Sequence, residues 1–203
     1  MGGRILVLGT NNKKKRGELE ELLSPLGFEL RILADFPHAI EVAETGDTFA
    51  ANAALKATEQ AKVLGQWVLG EDSGLCVDAL GGRPGVYSAR YSDPGATDAR
   101  NNEKLLAELA NVPRAKRTAH YVCHATLSDP TGVVRADAEG TCGGIIRTEP
   151  AGSGGFGYDP LFEVPEYHST FGVLAPAVKR VLSHRARAMR QFIPQLLSLF
   201  DVW

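Results

Sequence analysis

Two adjacent carboxylates, Glu71 and Asp72, follow directly on the apolar run Trp67-Val68-Leu69 and Gly70, and they constrain the fold more than any other feature of the chain. A short apolar run of this kind reads as a buried strand. Ser73-Gly74 is a turn signal, so the pattern predicts that the strand ends there in a tight bend. Apolar residues then resume at Leu75, Cys76 and Val77. A carboxylate at the end of a buried strand is costly unless a cation meets it. In open α/β sheets such strand ends border the ligand crevice. This stretch alone leaves two readings open, a solvated acidic turn or the acidic half of a site whose cations come from elsewhere.

Candidate cations lie on both sides of it. Residues 4–9 (RILVLG) predict a first buried strand, and Thr10-Asn11-Asn12 a turn that can cap the helix behind it. Leu19, Leu22, Leu23 and Leu26 recur at helical spacing, with Gly27 as the stop. Lys13-Lys14-Lys15-Arg16 then falls at the helix N-terminus, where each exposed cation opposes the macrodipole by about 0.3–1 kcal/mol. The run is either a solvated face or a place where free amides and a lysine receive phosphate. It is not a Walker loop, because the Gly-Lys-Ser/Thr ending is absent. Residues 28–33 predict a second strand. An alanine-rich helix over 48–64, stopped at Gly65, permits close packing and places Asn52 and Lys56 on one face. Lys56 by itself reads more readily as a surface charge than as a functional group.

Further along, Gly81-Gly82-Arg83-Pro84-Gly85 is a loop and 97–111 a helix. Residues 118–127 and 133–139 form a hairpin turned at Asp129-Pro130-Thr131-Gly132, and 140–147 adds a third strand. His120 and His124 share a strand face there and read as structural. Gly152 to Gly157 (GSGGFG) matches G-x-G-x-x-G in form, but Tyr158-Asp159-Pro160 follows in place of a clear helix and no acid sits about twenty residues on, which argues against a dinucleotide site. The loop either presents Phe156, Tyr158 and Asp159 to a planar ligand or is a plain turn with Phe156 in the core. The last helix, 184–200, packs through Met189, Phe192, Ile193, Leu196 and Leu197, with Pro194 predicting a kink or an early end. Ser183 is its expected N-cap, which puts His184 and Arg185 in the first turn, with Lys179 just upstream.

Composition narrows the function class. At 203 residues and 44% hydrophobic content the chain is expected to form one globular unit, bilobed at most. A net charge of -2 argues against broad nucleic-acid affinity, so a polyanionic ligand needs a local cationic cluster. Three cysteines, Cys76, Cys123 and Cys142, form no paired framework and fit a reducing compartment. No membrane span or signal-peptide apolar region is evident, and the expected location is the cytoplasm.

Taken in order, seven stretches resemble the inosine triphosphate pyrophosphatase family. They are Thr10-Asn-Asn12-Lys-Lys-Lys15, Glu44-Thr-Gly46, Asn52-Ala-Ala-Leu-Lys56, Glu71-Asp-Ser-Gly74, Gly81-Gly-Arg-Pro-Gly85 through Tyr87-Ser-Ala-Arg-Tyr91, Gly155-Phe-Gly-Tyr-Asp-Pro160 and Ser183-His-Arg185. The resemblance spans nearly the whole chain, residues 1–203. It implies an α/β fold, a long mixed β-sheet flanked by helices, in two lobes with the active-site cleft between them. It further implies Mg²⁺-dependent hydrolysis of inosine, deoxyinosine and xanthosine triphosphates to the monophosphate and pyrophosphate, a small-molecule substrate and a homodimer. By the same resemblance Asp72 is a metal ligand and the base, joined at the metal by Glu44 and Glu71, with Lys56 in the catalytic set. Thr10, Asn12, Lys15, Lys56 and Ser73 hold the triphosphate. Phe156 stacks on the base, and Gly157, Tyr158, Asp159, Lys179, His184 and Arg185 shape its pocket. Two positions depart from the family pattern: Ala51 stands where Glu is common, and Ala175 to Val178 carry no acid. A pyrophosphatase of modified pyrimidine triphosphates and a non-catalytic nucleotide-binding module remain as alternatives. The acids Glu44, Glu71 and Asp72 count against the second, because triphosphate binding alone gains little from them.

Overall fold

Alternation along the first strand sorts the interior into separate cores. The computed structural model describes residues 4–200. In β1 (Ile5–Leu8), Leu6 and Leu8 join one apolar cluster while Val7, between them, joins another. That two-sided burial is the signature of a strand covered by helices on both faces. Asn12 caps α1 (Lys13–Leu23), its side-chain oxygen accepting from the Lys14 and Lys15 N–H groups at 3.0 and 3.2 Å. The helix gives way to a short 3₁₀ turn and stops at Gly27, which takes φ 75°. β2 (Glu29–Ile32) follows, and then α2 (Phe49–Leu64), capped by the Thr48 hydroxyl and stopped by Gly65 at φ 61°.

The chain continues through β3 (Trp67–Val77), α3 (Asp98–Glu108), β4 (Thr118–Ser128), β5 (Val134–Ile146), β6 (Phe162–Val164), β7 (Ser169–Thr170), α4 (Pro176–Leu182) and α5 (His184–Leu199). Among the described residues this is an α/β fold whose mixed sheet has the order β2-β1-β3-β4-β5-β6-β7, flanked by helices. β2 and β3 both run parallel to β1, while β5–β6 and β6–β7 are antiparallel pairs.

Several expectations need correction. β3 does not bend at Ser73-Gly74 but runs unbroken to Val77. Leu75 and Val77 are buried, and the Leu75 N–H donates to the Ser88 hydroxyl at 2.8 Å, so burial beyond the pair overrides the local turn preference. Residues 140–146 are not a third strand but the far half of β5, in which Ala136, Ala138 and Cys142 alternate inward. α5 does not end early at Pro194, which lies inside a helix that continues to Leu199. α4 has no counterpart among the elements expected from the sequence; it is seven residues long and begins at a proline.

Two compact units divide the chain. The first is built from the chain up to Asp72, Cys123–Gly140 and the chain from Arg185; the second from Ser73–Val122 and Thr141–His184. In the first, α1 and α5 cover one sheet face through Leu19, Leu23, Met189, Phe192 and Leu196, packed on Leu6, Leu8 and Leu69. α2 covers the opposite face through Ala61, beside Val7, Val68 and Leu33. In the second unit Leu75, Val77, Leu105, Leu109, Tyr121, Phe162 and Phe171 share a core.

Gly70 fixes how closely α2 approaches β3. A Cβ built there would lie 2.6 Å from the Ala57 nitrogen and 3.0 Å from the Ala57 Cβ, and closer still to the Ala53 carbonyl oxygen. Two of the near atoms are helix backbone, which cannot rotate away. Gly70→Ala is therefore expected to destabilise the protein by about 1–3 kcal/mol, the range for an overpacked core. Urea unfolding checks it, and a midpoint equal to that of the unaltered chain would show that α2 shifts freely.

Candidate active site

Asp72 is the point on which the first unit's polar groups converge. It is 4% exposed and sits in β3 facing α2. Its Oδ1 accepts from the Lys56 ammonium at 2.9 Å, and its Oδ2 from the Asn52 amide at 3.3 Å. Asn52 and Lys56 are one helical turn apart, so a single face of α2 addresses both carboxylate oxygens. The Lys56 ammonium also donates to the Glu71 carbonyl at 3.1 Å and pairs with Glu44 at 2.6 Å. Asn52 in turn accepts from the Gly46 N–H at 2.8 Å, tying the Glu44-Thr45-Gly46 loop to the same point. Gly46 admits no side chain there, because a Cβ would fall 2.7 Å from that of Ala51 and 2.8 Å from the Asn52 oxygen.

Burial and charge compete in this cluster. Burial pushes the Asp72 carboxyl above its usual range, against the pull of Lys56 and Lys15. Burial works against the Lys56 charge too, but Asp72 and Glu44 together outweigh it and hold the ammonium above its ordinary value. The pair thus combines a carboxylate of raised basicity with a cation that stays protonated.

Glu71, the next residue back, turns to the opposite face of β3. Its Oε1 accepts from the Arg185 guanidinium at 2.8 Å and from the Cys123 thiol at 3.2 Å, and its Oε2 pairs with Lys15 at 3.3 Å. Arg185, at the start of α5, also pairs with Glu18 of α1. Burial opposes the Arg185 charge, yet Glu71 leads the neighbours that keep its pKa above the usual value. Breaking a pair this deeply buried costs about 3–5 kcal/mol, because the remaining charge stays in a dry site. Among the residues expected at a metal, the structure brings Glu44 and Asp72 together at Lys56, whereas the Glu71 carboxylate belongs to the other face. Arg185, expected at the base pocket, is found with Glu71 and Glu18.

In the second unit Asp159 is the organising group. Its Oδ2 accepts from the Lys179 ammonium at 2.6 Å and the Phe156 N–H at 2.8 Å. Gly155, at φ 71°, leaves room for this, since a Cβ there would run into the Asp159 carboxylate. The Lys179 nitrogen lies over the Phe156 ring, 4.4 Å from its centroid. Tyr121 joins from β4: its hydroxyl is 3.5 Å from Asp159 Oδ1, and its ring stacks on His184 at 4.7 Å with planes 13° apart. Tyr158 is in the core, donating its hydroxyl to the Ser88 carbonyl at 2.8 Å. Thr10 accepts from the Asn12 N–H at 3.2 Å, and Ser73 is half-buried in β3.

Sequence reasoning missed Asn52 as a site residue, along with Tyr121, Glu18 and Cys123. Only Asn52 carried a signal, its spacing from Lys56. The others lie far along the chain from the groups they touch.

The donor set suits a hard divalent cation. One ammonium shared between Glu44 and Asp72 shows that both carboxylates converge on a single cationic position, and their oxygens are hard ligands. Among the described residues no group of three His, Cys, Asp or Glu side chains converges to hold a metal. A cation here would therefore keep much of its water, as small divalent ions do.

Known proteins are similar to this chain in sequence and in fold. The chain is 59% identical over 194 residues to a dITP/XTP pyrophosphatase of Rhodopirellula baltica, covering 96% of this chain and 93% of that one. It is 48% identical to a protein of the same name from Desulforamulus reducens, covering 96% of each. The solved structure of a HAM1 protein from Coxiella burnetii superposes with a TM-score of 0.87 at 36% identity, over 97% of this chain and 99% of that one. With the model of the Ham1 family matching residues 6–195, from β1 into α5, this chain belongs to the Ham1 family.

Proposed function

We propose that the protein hydrolyses nucleoside triphosphates of hypoxanthine and xanthine to the monophosphate and pyrophosphate. The convergence of Lys56, Asn52 and Glu44 on the buried Asp72 carries the reading. The names of its close relatives agree with it. Asp72 accepts a proton from the attacking water as the water oxygen bonds to the α-phosphorus and the bond from that phosphorus to the bridging oxygen breaks. A buried carboxylate held through both oxygens by Lys56 and Asn52 is positioned to act as a general base. Lys56 and Lys15 spread the negative charge that moves onto the departing pyrophosphate. Glu44 and Asp72 would hold Mg²⁺, which would supply further charge neutralisation there.

Phe156 and Lys179 are the residues that read the base. Phe156 supplies a stacking face, and stacking alone does not discriminate among purines. Lys179 offers only donors, which match the 6-keto acceptor of hypoxanthine and xanthine and leave the 6-amino group of adenine poorly met. An unmet buried hydrogen bond costs about 1–3 kcal/mol, enough for a tenfold preference or more. The substrate is a small molecule. We take the active form to be a homodimer in the cytoplasm; its three cysteines are all free, and among the described residues no helix is long and apolar enough to cross a membrane.

A panel of nucleoside triphosphates with Mg²⁺ tests the reading. Inosine, deoxyinosine and xanthosine triphosphates should be consumed fastest, with pyrophosphate as product. Release of orthophosphate and a nucleoside diphosphate in its place would reject the proposal.

Within that reaction, Asp72→Asn should fold and bind nucleotide but lose at least ~10²-fold in kcat, the low end for a positioned acid–base group. Glu44→Gln should mainly raise the Mg²⁺ concentration needed for half-maximal rate. Full activity in the first variant, or an unshifted metal titration in the second, would remove that residue from its role.

Ala51 is in the first turn of α2, its N–H bonded to the Thr48 hydroxyl at 3.1 Å. If Glu44 and Asp72 with waters suffice for the metal, Ala51→Glu should leave kcat/KM within about tenfold. A much larger gain at limiting Mg²⁺ would show that the site lacks a carboxylate.

A further inference from the structure

We infer that Asp98 and Asn102 of α3 are positioning residues that clamp the Gly157 peptide and so hold the Phe156 ring in place, a role that rests on the base-stacking reading above. The loop needs such an anchor. Gly152, Gly155 and Gly157 all take positive φ, at 74°, 71° and 61°, and Gly154 lies among them. Glycine loses more conformational freedom on ordering than any other residue, so a loop of this composition holds one shape only if external groups fix it.

α3 supplies those groups. The Gly157 N–H donates to Asp98 Oδ2 at 3.0 Å, and the Asn102 amide donates to the Gly157 carbonyl at 2.9 Å. The two side chains are four residues apart and share a helix face, so α3 grips both polar groups of one residue. α3 is itself firmly seated. Leu105 is fully buried, and Asn101 accepts from the Ser92 N–H at 2.9 Å and from its hydroxyl at 2.7 Å. Asn101 also donates to the Ser88 carbonyl at 3.3 Å, the same oxygen that accepts the Tyr158 hydroxyl. The residue after Gly157 is thereby tied to the same frame.

This arrangement decides what the loop shows a ligand. The Gly157 N–H and carbonyl are engaged by α3, and the Phe156 N–H is engaged by Asp159. The loop therefore offers its aromatic face, and Gly157 serves as the gripped point rather than as a reader of the base edge.

The test combines amide hydrogen exchange with kinetics on inosine triphosphate. Asp98→Ala and Asn102→Ala should each speed exchange across residues 154–158 and raise KM by about three- to tenfold, the worth of one hydrogen bond. The value of kcat should stay within about twofold, because a clamp on the base end leaves the bond-breaking groups untouched. Asp98→Asn keeps an acceptor oxygen and should restore most of the affinity. In a Phe156→Ala background the added effect of Asn102→Ala should shrink to less than about twofold, since a clamp acting through the ring has nothing left to place. Unchanged exchange, or an undiminished Asn102→Ala effect in that background, would overturn the inference. Should Phe156→Ala alone leave KM unaltered, the stacking assignment fails instead, and the positioning role falls with it even if exchange accelerates.

Discussion

Successive side chains of a β-strand point to opposite faces, and at Glu71-Asp72 that rule divides two charges between two environments. Had both carboxylates faced one side, their mutual repulsion in a buried site would have forced one to stay protonated. As it is, each meets its own cation on its own face: Arg185 for Glu71 and Lys56 for Asp72. Much of the first unit follows from that division. α1 and α5 are drawn to one side, where Glu18, Lys15 and Arg185 surround Glu71. α2 is drawn to the other, where its small side chains let Lys56 and Asn52 come down onto Asp72.

The two faces do different work. On the Glu71 side the Glu71–Arg185 pair is almost entirely buried, an arrangement suited to fixing where α5 begins, while Lys15 and Glu18 beside it keep 15% and 26% of their side chains exposed. On the Asp72 side the lysine and Glu44 keep some contact with solvent, with 13% and 31% of their side chains exposed. Partial exposure, as at Lys56, Glu44 and Lys15, is what a site that exchanges ligands requires, and full burial, as at the Glu71–Arg185 pair, is what a structural anchor tolerates.

Much of this was legible in the sequence, and the boundary of legibility is physical. α1, α2 and α3 are legible because helical spacing, caps and glycine stops are local: Asn12 caps α1 from the turn expected to do so, and Gly27 and Gly65 stand at the expected stops. The Asn52–Lys56 face could be read from helical spacing alone. Which side of β3 each acid faces could not, because alternation gives parity without saying which helices lie above and below. The passage of β3 through Ser73-Gly74 was hidden for a related reason, since the burial of Leu75 and Val77 depends on partners distant in the chain. Tyr121 beneath His184 left no local trace either, being more than sixty residues away in sequence.

The thiol of Cys123 lies at the centre of the buried ion group, fully enclosed, and burial followed by the Glu71 charge pushes its pKa well above the ordinary thiol value. Nucleophilic and redox reactivity belongs to the thiolate. The cysteine is therefore chemically silent in the folded chain, neither alkylated nor oxidised where it stands. Its reaction with a thiol reagent waits on the opening of the first unit, so the rate of labelling at this one sulfur reports how often that core comes apart.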